Sequence, residues 1–188
     1  MNKKLTAILI AVVVVSVVFL VLNYNHPPTQ PAAISDYKNA EYIIDGQHVK
    51  LENGVAESEA APGSASKIIT RYFGNELKID LNGDGRNDVV FILTQERAGS
   101  GVFFYVVAAL NIGHGYVGSE GYFLGDRIAP QGIDLSQKDS QKFVVAVNYA
   151  DRIAGEPMTT SPSEGRSVYL KLDPIGMKWV TMYGTRQN

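Results

Sequence analysis

The sequence predicts an all-β fold, an antiparallel sandwich or partly open barrel, preceded by one N-terminal transmembrane helix. Three observations carry this. One uncharged apolar run occupies residues 5–22. Beyond residue 40 the chain is a succession of short β-branched and aromatic runs, none with helical periodicity. Those runs are parted by Gly, Asn, Asp and Pro, the residues that turns require.

The run "LTAILIAVVVVSVVFLVL" spans about 27 Å as a helix, nearly the depth of a hydrocarbon core. Its valines are weak helix formers in water, but in lipid the backbone can hydrogen-bond only to itself. Lys3 and Lys4 precede it and no Lys or Arg follows until Lys38, so residues 1–4 are expected in the cytoplasm and the rest outside. A cleaved secretory signal is the rival reading. Its apolar region is usually shorter, and "NYNHPPTQPAAIS" offers Ala32 and Ala33 without a second small residue at the required spacing. The signal anchor is therefore preferred, placing the chain as a single-pass protein of a bacterial inner membrane with its C-terminal domain in the periplasm or outside the cell.

Residues 23–35, rich in Pro, Asn, Gln and Thr, are expected to form a linker. Residues 36–57 follow as a β-hairpin, with Glu41 to Ile44 pairing with Gln47 to Glu52 across Asp45-Gly46, and with a second turn at Asn53-Gly54. "SEAAPGSAS", residues 58–66, reads as a flexible loop. The main β domain is then 67–188, with strands expected in "KIITRYF", "ELKID", "DVVFILTQ", "GVFFYVVAALN", "GYVGSEGYFLG", "KFVVAVNYA", "RSVYLKL" and "KWVTMYG". The unbroken apolar run Val102 to Leu110 suggests a strand covered on both faces, and the ten tyrosines suit the margins of a β core.

Composition narrows the function classes. There is no cysteine, so neither a disulfide framework nor a thiol-linked lipid is available. Without Lys3 and Lys4 the 17 basic residues become 15 against 19 acidic, a net charge of −4 with no basic stripe, which excludes a nucleic-acid footprint.

One stretch carries chemistry. In "DLNGDGRND", residues 80–88, Asp80, Asn82 and Asp84 fall at positions one, three and five, Gly85 at the sharp turn, the Arg86 carbonyl at seven and Asp88 at nine. Calcium takes six to eight oxygens, and this spacing supplies alternate inward side chains around a bend. Position twelve is Phe91, so the distal Glu of an EF-hand is missing, and the flanks "ELKI" and "DVVFIL" are strands. The loop resembles the calcium loops of FG-GAP repeats in integrin-type propellers, over about a dozen residues. The resemblance implies a Ca2+ cofactor and no fold, since one copy cannot build a propeller. The alternative is a plain tight turn at Asn82-Gly83 and Asp84-Gly85, its carboxylates relieved by Arg86 and Arg71. Sites of this type in extracellular modules bind at roughly 10⁻⁴–10⁻³ M, so the calcium would be structural.

A second feature is an echo. "YFLGDRIAPQGI" and "VNYADRIAGEPM" each end an aromatic strand with Asp-Arg-Ile-Ala and a Pro- or Gly-bearing turn. If the strands are neighbours, Asp126, Arg127, Asp151 and Arg152 form a possible ligand cleft for a carboxylate or sugar, with Tyr149 and Glu156 at its edge. The bland alternative is that each Asp caps its own turn. No nucleophile elbow, zinc-helix motif or phosphate loop is present, and His26, His48 and His114 lack metal spacing. "AGSGVFFY" offers N–H groups near Ser100 and Gly101 for an anion, or a simple turn.

The quoted hairpin, calcium-type loop and DRIA segments together also resemble an uncharacterised family of exported bacterial proteins anchored by a helix or a lipid. That resemblance implies export and a β-rich domain, without an activity. The sequence thus predicts a membrane-tethered extracytoplasmic β domain with a structural calcium site and a binding or envelope-structural role, its partners being the bilayer and an envelope protein or glycan. The alternative is a cell-envelope hydrolase using carboxylates near Asp151 and Glu156.

Overall fold

The computed structural model describes residues 36–99, 101–137 and 142–186, with side chains to residue 183. The apolar run 5–22 and the linker 23–35 lie outside the described residues. Among the described residues no helix is long and apolar enough to cross a membrane.

The described chain is all-β and antiparallel, with one 3-10 turn at Tyr37–Asn39. Its strands are β1 (Glu41–Ile44), β2 (Gln47–Lys50), β3 (Val55–Glu59), β4 (Lys67–Ile79), β5 (Asp88–Glu96), β6 (Val102–Asn111), β7 (Tyr116–Gly118), β8 (Tyr122–Asp126), β9 (Ala129–Leu135), β10 (Val144–Asp151), β11 (Glu164–Asp173) and β12 (Lys178–Arg186). They form a larger sheet ordered β3-β4-β5-β6-β7 with β8 also on β6, a four-stranded sheet ordered β12-β11-β10-β9, and the hairpin β1-β2.

Strand β5 shows why the layers stack as they do. Every residue from Asp88 to Gln95 is buried, so its alternate side chains must enter two different cores. Val90 and Ile92 join Val106, Leu110, Val147, Leu170 and Leu172 between the two sheets. Val89, Phe91 and Leu93 point the other way, to Tyr42, Ile44, Leu51, Tyr105 and Val107 beneath the hairpin. Phe91 is the hub there, with its ring 5.4–5.6 Å from those of Tyr37, Tyr42 and Tyr72. Tyr42 and Tyr105 are fully buried, deeper than the core margin expected for tyrosine, and each places its hydroxyl, on the Tyr37 carbonyl at 2.7 Å and on Asp45 at 2.8 Å.

Backbone hydrogen bonds fasten the hairpin on both sides. Ile43 bridges Glu120 in parallel, with Ile43 N–H on the Ser119 carbonyl and Gly121 N–H on the Ile43 carbonyl. Close approach here needs Gly118, where a Cβ would run into the Glu41 carbonyl oxygen and the Tyr42 ring. At the far side, Glu52 and Val55 exchange backbone hydrogen bonds. The larger sheet therefore curls round its outer core and returns through β1 and β2 almost to β3.

Several element bounds differ from those the sequence suggests. Ser58 and Glu59, placed in a flexible loop, continue β3 opposite Ile68 and Lys67. "KIITRYF" and "ELKID" form one strand, β4, interrupted by a bulge at Gly74 and Asn75, both at positive φ. "APQGIDL" after the first DRIA is a strand, β9, with Pro130 tolerated on the sheet edge beside a bulge. The turns at Asp45-Gly46 and Asn53-Gly54 are where the sequence puts them, all four residues at positive φ.

Candidate functional site

The loop 80–87 joins β4 to β5, and its shape is set by Asp80. That carboxylate accepts N–H groups of Asn82 at 3.2 Å, Gly83 at 2.6 Å and Asp84 at 3.2 Å on Oδ1, and of Gly85 at 2.9 Å on Oδ2. Gly83 and Gly85 both adopt φ +83°, the conformation the bend demands. These backbone donors, Gly85 first, hold the Asp80 carboxyl below its ordinary range, so it stays ionised.

Asn82 and Asp84 touch: Asn82 Nδ2 donates to Asp84 Oδ2 at 3.0 Å, and Asn82 Oδ1 accepts Asp84 N–H at 3.0 Å. Asp84 also takes the Arg86 N–H at 2.9 Å and the Arg86 guanidinium. The Arg86 Nε meanwhile donates to the Asn111 carbonyl at 2.7 Å, fastening the loop to the end of β6. Arg71 does not serve this loop; it faces Glu96 at 3.5 Å.

Asp88 faces inward. It is 0% exposed, its Oδ2 accepting Leu81 N–H and its Oδ1 accepting Asn111 N–H, both at 2.8 Å. Burial pushes its pKa up against these two donors, and the charges of Asp84 and Asp80 push the same way. Of the five residues named from spacing, Asp80, Asn82, Asp84 and Arg86 lie in the loop and Asp88 opens β5, where the charges of Asp84 and Asp80 oppose its ionisation. Among the described residues no three His, Asp or Glu side chains are gathered as a ready ligand set. Hydrogen bonds and Arg86 satisfy the loop as folded.

The two DRIA segments do come together. Arg152 Nη1 donates to the carbonyls of Arg127 at 3.0 Å and Asp126 at 3.5 Å. Asp126 pairs with its neighbour Arg127 at 3.0 Å and accepts Val102 N–H at 2.9 Å. Arg127 sits at φ +49°, unusual for a long side chain. Asp151 accepts Arg152 N–H at 2.7 Å and pairs with Arg166 at 2.9 Å. Arg166 also pairs with Glu164 at 2.9 Å, which holds its pKa above the usual arginine value. Tyr149 beside it is raised by burial. Glu156 caps its own turn, accepting Ile153 N–H at 2.9 Å.

Arg166 and Glu164 belong to this cluster although no local motif marks them. They enter because β10 and β11 place Tyr149 opposite Arg166 and Asp151 opposite Glu164, a register invisible in local sequence. Among the described residues Arg152 has no carboxylate partner, and the Nε atoms of Arg152 and Arg166 are buried without an acceptor.

The remaining candidates are ordinary. His48 meets Glu41 at 2.8 Å on the surface, and His114 lies in the turn closed by Ile112 N–H to the Gly115 carbonyl at 3.0 Å. His26 and Ser100 lie outside the described residues. Comparison with protein-family models, curated proteins and solved structures finds no match. The class rests on the structure alone: an antiparallel all-β domain with an acidic hairpin loop and a two-loop arginine cluster.

Proposed function

We propose that this chain is a membrane-tethered extracytoplasmic β domain of a bacterial inner membrane, with a structural calcium site and a binding or envelope-structural role. The tether is the apolar run 5–22 and its flanking lysines. The ion would be held by Asp80, Asn82, Asp84, the Arg86 carbonyl and Asp88. The observation that carries this is Asp80 drawing four consecutive N–H groups inward, which bends the loop and leaves the charges of Asp80 and Asp84 opposing the ionisation of Asp88 at the start of β5. Binding requires Asp84 to exchange the Arg86 guanidinium for the cation, so calcium and Arg86 compete for one carboxylate.

The test is thermal unfolding in about 5 mM calcium against chelator. A site of roughly 10⁻⁴–10⁻³ M affinity then adds about 1–2 kcal/mol, or about 2–9 °C in Tm for a domain this size. An unchanged Tm removes the metal from the reading. The binding role draws on Arg152, whose guanidinium joins the two DRIA loops and has no carboxylate of its own among the described residues. The hydrolase alternative gains nothing from these contacts, because Asp151 is committed to Arg166 and Glu156 to its own turn.

A further inference from the structure

We propose that the seam between β2 and β3 is a peptide-binding groove, which takes an extended segment of a partner protein as an added strand. This goes beyond the calcium and arginine sites and depends on neither. Strands β2 and β3 are consecutive, yet their mutual backbone bonds stop at Glu52 and Val55, after which they diverge. Each pairs on its other side, β2 with β1 and β3 with β4. Among the described residues, their facing edges therefore carry alternate N–H and C=O groups without a strand to receive them.

Between those edges lies a groove of ≈ 790 Å³, inside the roughly 300–1,000 Å³ range of ligand sites. Its walls use residues 47–50 of β2 and 56–59 of β3 without a gap, and continue into residues 60–62 beyond β3. Side chains of a strand alternate between faces, so an unbroken series means the groove is lined by strand edges as well as side chains. Polypeptide is the chemistry that two such edges select. A strand laid here would complete the curled sheet where it fails to close, over about five residues or ~17 Å, the length of β3.

The floor is built and not merely vacant. Thr70 and Gln95 are 2% and 5% exposed, and Gln95 Nε2 donates to Thr70 Oγ1 at 3.2 Å. Arg97 Nε in turn donates to Gln95 Oε1 at 2.7 Å. Among the described residues the Thr70 hydroxyl hydrogen and the second Gln95 amide hydrogen meet no acceptor, and they suit an occupant's hydroxyl or carbonyl. The Glu52–Val55 bridge joins the two walls, and Arg97, in the lining, pairs with Asp45 at the tip of the hairpin. The acidic side chains of β3 do not bar the edge, since Glu57 pairs with Lys67 at 2.9 Å and Glu59 accepts Gly63 N–H at 2.8 Å. The occupant is thus an extended segment with small or hydroxyl-bearing side chains facing Ala56, Thr70 and Gln95.

The experiment pans the full chain in detergent micelles against phage-displayed random heptapeptides, then synthesises the enriched ones. Expected is slowed amide exchange in both β2 and β3 on peptide addition, and affinity at least about tenfold weaker when alternate peptide nitrogens are methylated. Ala56→Trp, filling the floor, should abolish enrichment; if it fails to fold, the methylation comparison on the unaltered chain decides alone. No enriched peptide, protection elsewhere, or affinity indifferent to methylation overturns the proposal. Repeating the binding in chelator separates it from the calcium reading, since the groove should bind equally well there.

Discussion

Asp88→Ala should be among the most damaging single substitutions in this domain, although it removes a charge whose burial is itself unfavourable. The side chain has no exposed surface and holds two backbone donors, Leu81 N–H at the loop's entry and Asn111 N–H at the end of β6, each at 2.8 Å. Alanine leaves the buried Leu81 donor and the part-buried Asn111 donor without acceptors, at about 1–3 kcal/mol each. Some of this is returned, because the raised pKa of Asp88 shows that ionising it in place is a cost. The expected net loss is about 2–4 kcal/mol, a large share of the ~5–15 kcal/mol that holds a domain together. Asp88→Asn keeps one acceptor and turns an NH2 toward the other donor, so it should lose about half as much. Urea unfolding followed by Trp179, the single tryptophan, measures both. An Asp88→Ala protein within about 0.5 kcal/mol of the parent would refute the claim that this carboxylate pins loop and strand together.

Gly118→Ala should cost about 1–3 kcal/mol by forcing β1 off β7, read as a lower urea midpoint and faster exchange at the Ile43 amide; an unchanged midpoint would show that the hairpin yields freely. Glu76 is opposed by burial, but hydrogen bonds from Tyr37 and Tyr72, with Lys38 nearby, outweigh it and hold its pKa below the ordinary 4.5. A lowered folded pKa means its contribution is complete above the unfolded value and is lost as pH falls through the folded one. Glu76→Gln should therefore be less stable than the parent at neutral pH, with the gap narrowing below about pH 4.5. A gap independent of pH would contradict that. The same carboxylate, after burial, pushes the Tyr72 phenol up to about 12, so its absorbance titration should shift down in Glu76→Gln.

What was legible in the sequence was local. Asp45-Gly46 and Asn53-Gly54 announce turns because those residues tolerate positive φ, and the apolar continuity of β5 and β6 announces burial on two faces. The acidic spacing at Asp80, Asn82, Asp84 and Asp88 is likewise a local pattern, and the structure puts the first three in the loop and Asp88 at the start of β5. What escaped was set by pairing between distant segments. The Gly74–Asn75 bulge reads as a break between two strands until β5 holds both halves in one ladder. Pro130 reads as a turn until its edge position makes the missing N–H harmless. The DRIA echo was visible, but the arrival of Arg166 and Glu164 depended on the register of β10 with β11. Thr70, Gln95 and Arg97 carry no local signal, because scattered polar residues gain meaning only where the unclosed seam collects them.

Calcium titration of the amide resonances of residues 82–88 tests the central claim most directly. Saturable shifts confined to the loop, with an apparent Kd of roughly 10⁻⁴–10⁻³ M and weakened at least about tenfold in Asp84→Asn, are what the account predicts. Resonances that stay fixed through about 10 mM calcium, or that respond identically in Asp84→Asn, would mean that Arg86 is the loop's only counter-charge and that no ion is held there.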